Sequence, residues 1–254
     1  MINIGAQLFT FRNVLNELSD LKSVFGLLRE EGGGSAQLSG LKFGYDAAEC
    51  RALASDYGIE LPLTHTPWKK IREETDKVID DHLALGACMV GLGMMPGEYK
   101  NSDGLKRFTG EVNEVAEKLK AAGLLFGYHN HAFEFGRAYG DERRIFDVLK
   151  AECPDIHFIF DTYWCYFAGF DPVRELEGLK GRARCIHFKD GRKLWKIPLI
   201  KAVGDGKLDF KGIVKAAEDA GVEYALIEHD FAKDPFEVTG RSLRYLKSIY
   251  PAKN

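Results

Sequence analysis

A chain of 254 residues with 45% hydrophobic content and a formal charge of −3 can bury a large core, and it is close to the ~250 residues of a single α/β barrel. No apolar run approaches the ~18 residues of a membrane span, and the acidic balance leaves no electrostatic footprint for nucleic acid or for a basic membrane-surface role. The opening Met1-Ile2-Asn3-Ile4-Gly5 begins directly as a strand, with no basic region ahead of an apolar one. The expectation is therefore a cytoplasmic protein without a signal peptide.

Strand-like runs follow one another along the whole chain: Asn3–Leu8, Ser35–Leu38, Leu61–His65, Cys88–Gly91, Leu125–His131, His157–Asp161, Arg184–Phe188 and Tyr224–Glu228. The second has the least β-propensity, because Gly32-Gly33-Gly34 leads into it. Helical periodicity fills the intervals. Val14, Leu15, Leu18, Leu21, Val24, Phe25 and Leu28 form one apolar stripe, and Leu105, Phe108, Val112, Val115, Ala116 and Leu119 form another. Phe210, Ile213, Val214 and Ala217 make a third, and Pro235 to Tyr250 a fourth. Asp171-Pro172, Asp234-Pro235 and Asn101-Ser102-Asp103 supply helix starts, while Gly123 and Gly221 supply left-handed stops. Eight uninterrupted β-then-α units, with no linker or low-complexity tract, predict one domain over residues 1–254. Its predicted fold is a single (β/α)₈ TIM barrel.

The five cysteines (Cys50, Cys88, Cys153, Cys165 and Cys185) show no C-x-x-C spacing and are expected to be buried small hydrophobes. Cys165, close to Asp161, is the one candidate for a reactive thiol.

Polar residues at the strand ends carry the chemistry. Asp161 follows Phe158-Ile159-Phe160, His187 follows Ile186, and Glu228 follows Ala225-Leu226-Ile227. An unpaired carboxylate buried there would cost several kcal/mol, on the order of the price of any isolated buried charge. In a parallel barrel these ends converge on one rim, and a shared divalent metal would satisfy all three together. The fifth strand adds His129 and His131 on one face, with Glu134 just beyond; spacing does not decide which of them meets a metal. Gln7, Gln37 and His65 end the first three strands and suit hydroxyl recognition. Lys189 either polarises a carbonyl oxygen or pairs with its neighbour Asp190, the pairing being favoured. Trp164 is a candidate pocket wall, and Gly204-Asp205-Gly206 is a turn able to approach a ligand closely.

Taken together, the opening Gly5-Ala6-Gln7-Leu8-Phe9-Thr10-Phe11-Arg12, Gln37-Leu38-Ser39-Gly40, Tyr128-His129-Asn130-His131 through Glu134-Phe135, Asp161-Thr162-Tyr163-Trp164, His187-Phe188-Lys189-Asp190 and Glu228-His229-Asp230 give the chain its family likeness. It resembles the sugar phosphate isomerase/epimerase family of the xylose isomerase-like TIM barrel superfamily, nearly end to end. The resemblance implies one divalent metal (Mn²⁺, Mg²⁺, Co²⁺ or Zn²⁺) held by a glutamate, an aspartate, a histidine and a second glutamate. Asp161, His187 and Glu228 match the last three seats. His129 occupies the usual glutamate position, and Glu134 is the alternative source of the first carboxylate.

The chemistry implied is abstraction of a proton next to a carbonyl, with Glu228 as base and His131 or Lys189 as partner acid. The outcome is isomerisation or epimerisation of a keto-sugar, or elimination from an inosose or 3-keto-glycoside. Gln7, Gln37, His65, Glu134, Trp164 and Asp205 would bind the substrate, a carbohydrate or cyclitol expected to carry no phosphate. Assembly into a homo-oligomer is compatible with all of this. The rival readings are an apurinic-site endonuclease, disfavoured by the acidic balance, and a barrel that binds a sugar without turning it over.

Overall fold

The computed structural model describes residues 1–251. Eight parallel strands form its centre: β1 (Asn3–Gln7), β2 (Ser35–Gln37), β3 (Leu63–His65), β4 (Met89–Leu92), β5 (Leu125–His129), β6 (Ile156–Asp161), β7 (Cys185–Phe188) and β10 (Tyr224–Ile227). Their order is β2-β1-β10-β7-β6-β5-β4-β3. The parallel pairs Ser35–Glu60 and Leu38–Thr64 close the ring between β2 and β3. The fold is a (β/α)₈ TIM barrel, and all eight sequence-predicted strands are in it.

Around the ring lie α1 (Leu21–Glu31), α2 (Ala47–Asp56), α3 (Trp68–Glu73), α4 (Thr75–Leu85), α5 (Ser102–Ala121), α6 (Ile145–Glu152), α7 (Thr162–Phe167), α8 (Pro172–Glu177), α9 (Phe210–Ala220) and α10 (Pro235–Ile249). The α5 helix buries the apolar stripe its sequence shows, from Leu105 to Leu119. Asp171, Asp234 and Asn101 each accept backbone N–H groups at a helix start, as their position before a proline or a serine suggests. Such contacts replace intrahelical bonds that the first turn cannot make.

Two stretches differ from the sequence reading. The helical stripe does not begin at Val14. The Asp20 carboxylate takes the backbone N–H groups of Asn16 and Glu17, so short 3₁₀ turns precede a helix that starts at Leu21. The long loop after the seventh barrel strand contains an antiparallel hairpin, β8 (Asp190–Leu194) with β9 (Ile197–Lys201). Its turn passes through Trp195 at φ 59° and lacks the Asn-Gly or Asp-Gly pair that would mark it in sequence.

Inside the ring, side chains repeat every second residue. Leu63, Met89, Ile159, Cys185 and Leu226 pack together as an apolar floor. Gly91 and Gly127 make room for Ile159, whose Cδ1 would lie 2.8 and 2.9 Å from a Cβ at those positions. Two residues further along each strand come His65, Gly91, Asp161, His187 and Glu228. The polar rim is thus the next layer above the floor.

Candidate active site

His129, Asp161, His187 and Glu228, all buried, each place a ligand atom within 4.8 Å of the others. His129 Nδ1 is 3.0 Å from the Gly93 carbonyl. A carbonyl only accepts, so Nδ1 carries the hydrogen, and Nε2 is left to face Asp161 Oδ2 at 3.4 Å. His187 repeats the pattern. Its Nε2 donates to Gln37 Oε1 at 2.7 Å, which turns Nδ1 toward Glu228 Oε2 at 2.9 Å. His187 Nδ1 and Glu228 Oε2 are buried and have no aligned hydrogen-bond partner. Two lone-pair-bearing atoms this close need positive charge or a proton beside them, part of which the Lys189 ammonium supplies at 2.9 Å from the same oxygen. Outer contacts that fix a histidine tautomer in this way are characteristic of metal ligands.

Lys189 stands over the same carboxylates. Its Nζ lies 2.9 Å from Asp161 Oδ2, 2.9 Å from Glu228 Oε2 and 3.1 Å from Asp230 Oδ1. Burial alone would discharge the ammonium, but the three carboxylates raise its pKa well above the ordinary value. In return Lys189 holds Asp161 and Glu228 below the usual carboxylate range, against the opposing effect of burial. Three carboxylates surround one ammonium, so the cluster retains negative charge for a divalent ion. The donor set of two imidazoles and two carboxylates fits Mn²⁺, Co²⁺ or Zn²⁺, and less closely the oxygen-preferring Mg²⁺.

The other histidines are held neutral. Burial, then the neighbouring His129, lower His65 well below its ordinary value, and the same two causes bring His131 down to about 3. For His129 burial works in the same direction but is outweighed by Asp161 and Glu228, leaving its pKa raised. The His131 ring lies 4.7 Å from that of His129 and 5.8 Å from that of Trp164. Asp161 Oδ1 caps α7 by accepting the Trp164 amide at 2.8 Å, and the Trp164 ring centre is 5.5 Å from Lys189 Nζ. Gln7 reaches His65 Nδ1 at 3.4 Å.

Glu134 and Asp205 stand apart from this group. Glu134 accepts from the Tyr128 hydroxyl at 2.6 Å and from the His131 amide at 2.8 Å, fixing the turn after β5 rather than facing the four ligand atoms. Asp205 is paired with Arg241 of α10 at 2.5 Å.

The expected pairing of Lys189 with Asp190 is overturned, because neighbouring strand residues point to opposite faces. Asp190 instead accepts the amides of Gly191, Gly204, Gly206, Lys207 and Leu208 at 2.7–3.3 Å. The Gly204-Asp205-Gly206 turn therefore wraps a carboxylate of the chain itself, and a Cβ at Gly206 would collide with it. Cys165 is buried and its thiol is pushed far up by burial, which removes it as a nucleophile.

Asp230 is a site residue that the strand-end pattern of the sequence does not single out. It sits two residues beyond Glu228, on the same face by strand alternation, and that spacing was the available signal. It bonds Lys189 and lines the rim hollow, where burial raises its pKa to about 6. That hollow, about 420 Å³, is also walled by Phe9, Trp68, Met94, His129, His131 and Glu228.

Residues 27–249 match the model of the xylose isomerase-like TIM barrel. The chain belongs to that family. Inosose dehydratase of Lacticaseibacillus casei is 26% identical over 164 residues, which are 57% of this chain and 54% of that protein. The chain thus spans about half the length of that curated relative. Inosose dehydratase of Clostridium perfringens is 23% identical, over 69% of this chain and 71% of its own. Among solved structures, a sugar phosphate isomerase/epimerase from Parabacteroides distasonis superimposes with a TM-score of 0.81. It is 23% identical, over 98% of this chain and 94% of that one. At that identity the likeness speaks for the fold.

Proposed function

We propose that this protein is an enzyme that removes the proton next to the carbonyl of a sugar or cyclitol, with one divalent metal held by His129, Asp161, His187 and Glu228. The observation that carries the reading is the convergence of His129, Asp161, His187 and Glu228, all buried with ligand atoms within 4.8 Å of one another, at the C-terminal rim of the barrel. When bound, a divalent ion there would supply positive charge for the oxygen that becomes negative as the proton leaves.

The chain's own residues do the rest. Lys189, kept charged by three carboxylates, adds a fixed cation beside that oxygen. Asp230, with a pKa near 6 and an open face on the hollow, is better tuned to take and return the proton than Glu228, whose carboxylate is held in its ionised form. His131, neutral and with its Nδ1 unpartnered, is a hydrogen-bond partner for a substrate hydroxyl. So is the unpartnered indole N–H of Trp164.

Return of the proton to another carbon or another face gives isomerisation or epimerisation. Loss of a neighbouring hydroxyl gives dehydration, and the similarity to inosose dehydratases favours that second outcome. An unphosphorylated substrate is supported by the cations nearest the rim hollow being already engaged, Lys189 by three carboxylates and Arg12 by the Phe9 and Asp230 carbonyls. A phosphate site would call for a free cationic fork.

The test is metal titration by calorimetry of the stripped protein and of Asp161→Asn, followed by a screen of keto-sugars and inososes with the bound metal. Tight, stoichiometric binding that Asp161→Asn abolishes is expected, together with loss of turnover. Wild-type metal affinity in Asp161→Asn would refute the ligand assignment.

A further inference from the structure

The β8–β9 hairpin packs one of its faces on the barrel and leaves the other bare. Cross-strand partners share a face of a two-stranded sheet. Gly191 with Ile200, and Lys193 with Pro198, are the inner pairs. Gly191 lies against the Tyr163 ring, and Lys193 Nζ stands 5.2 Å from the centre of the Tyr166 ring. The Tyr163 hydroxyl donates to the Arg192 carbonyl at 2.9 Å and accepts the Leu199 amide at 3.0 Å. That side is seated on α7. The outer pairs are Arg192 with Leu199 and Leu194 with Ile197. Leu194 is 56% exposed, Ile197 58% and Leu199 39%, and Trp195 at the tip is 92% exposed.

The apolar surface continues past the hairpin. The His229 side chain bonds the Ile200 backbone, and its Nδ1 accepts the Phe231 amide at 3.2 Å. This brings Phe231, 65% exposed, to the root of the hairpin. At ~150–250 Å² for each large side chain laid bare, the five exposures amount to roughly 500–700 Å² of apolar surface. The largest apolar patch of a monomer is typically ~300–600 Å². Two such surfaces in contact would cover about 1,200 Å², the area at which specific interfaces begin.

Charge is polarised along the same surface. Between Gly191 and Gly204 the chain carries Arg192, Lys193, Lys196 and Lys201 and no acid, although the whole molecule is −3. Asp190, just before them, is buried and engaged with backbone amides. Beside Phe231 the balance reverses. Asp234 and Glu237 are exposed at the start of α10, and Arg241 links Glu237 to Asp205. These three acids outnumber Lys233 and Arg241. A surface that is apolar in the middle, cationic at one end and acidic at the other complements its own copy turned about a two-fold axis. An anionic membrane would match the cations and leave the acidic end opposed.

We propose that two copies of this chain dock face to face through this surface, the hairpin tip of each lying against the Phe231 loop and the start of α10 of the other. Trp195 of one copy then packs on Phe231 of the second, and Lys196 faces Glu237 of the second. The contact is independent of the reaction proposed above, since none of these side chains belongs to the metal cluster.

Sedimentation velocity of the purified full chain tests this, from about 1 to about 100 µM, where interfaces of modest area associate. Wild type should pass from monomer to dimer within that range. Trp195→Asn removes the ring and keeps a residue that tolerates positive φ. It should weaken the dimer at least about tenfold, with an unchanged circular dichroism spectrum. Lys196→Glu alone and Glu237→Lys alone should each weaken it, because like charges then face each other at both ends. Mixed together, these two variants should recover a dimer, since both ends of the mixed pair carry opposite charges. That recovery should fade in high salt. A monomer throughout the range, a dimer indifferent to Trp195→Asn, or two charge variants that stay apart on mixing would overturn the proposal. So would a monomer that binds phosphatidylserine vesicles through Trp195, which would assign the surface to a membrane.

Discussion

Replacing Glu134 by glutamine isolates a buried carboxylate whose charge the fold resists. Glu134 is fully buried, and burial raises its pKa from 4.5 to about 7 despite bonds from Tyr128 and the His131 amide. The folded state therefore binds the Glu134 proton more tightly than the unfolded chain does. Its contribution is fully present below pH 4.5 and is lost as pH rises through about 7. At ~1.4 kcal/mol per pKa unit the gap corresponds to about 3 kcal/mol. In Glu134→Gln the amide oxygen can accept from the His131 N–H while the amide nitrogen donates to a turned Tyr128 hydroxyl, so the turn keeps both contacts without a charge. Thermal melts of wild type and variant, at intervals from pH 4.5 to 8, give the difference in Tm. Other titrating groups cancel in that difference. The variant should gain on wild type as pH rises, by roughly 6–12 °C in total for a chain of this size. A difference that is flat with pH, or that favours wild type increasingly at pH 8, would refute the argument.

Lys189→Met leaves Asp161, Glu228 and Asp230 without their shared cation, and the metal-free protein should lose about 3–5 kcal/mol. Added Mn²⁺ should then raise the melting temperature of the variant more than that of wild type; an equal shift would mean that ammonium and metal do not share the carboxylates. Asp190→Asn replaces an acceptor of five backbone amides by a group with only one oxygen. Urea melts should show a loss of about 1–3 kcal/mol, and unchanged stability would mean that the amides of the Gly204–Leu208 turn find other partners.

The fold was legible in the sequence because barrel strands are short, apolar and separated by helices with recognisable ends. Even β2, with glycines ahead of it, joins the ring because its neighbour makes room: Gly5 has no Cβ to strike the Ser35 carbonyl. The hairpin of β8 and β9 was not legible. Its strands Asp190-Gly191-Arg192-Lys193-Leu194 and Ile197-Pro198-Leu199-Ile200-Lys201 carry neither clean alternation nor a standard turn pair, and what organises the loop is Asp190 collecting distant amides. A nest of that kind depends on backbone direction, which residue identity alone does not encode.

The candidate site divides along the same physical line. Residues that follow the two-residue period of a strand could be placed from sequence: Asp161 above Ile159, His187 above Cys185, Glu228 above Leu226. The same period continues to Lys189 and Asp230, which meet at 3.1 Å across β7 and the end of β10. Applied one step further, it would have paired Lys189 with Asp230 and turned Asp190 outward. Lys189, Glu228 and Asp230 keep that period just beyond β7 and β10, whereas Glu134 sits in the 3₁₀ turn Phe133–Phe135 after β5 and Asp205 in the turn after β9, where the path of the loop decides. Glu134 is drawn to Tyr128 and Asp205 to Arg241. A carboxylate in a turn satisfies itself with the nearest donor, whereas one on a strand or directly beyond its end is aimed by the sheet. The assignment of His129 over Glu134 as the fifth-strand candidate for the metal follows from that difference.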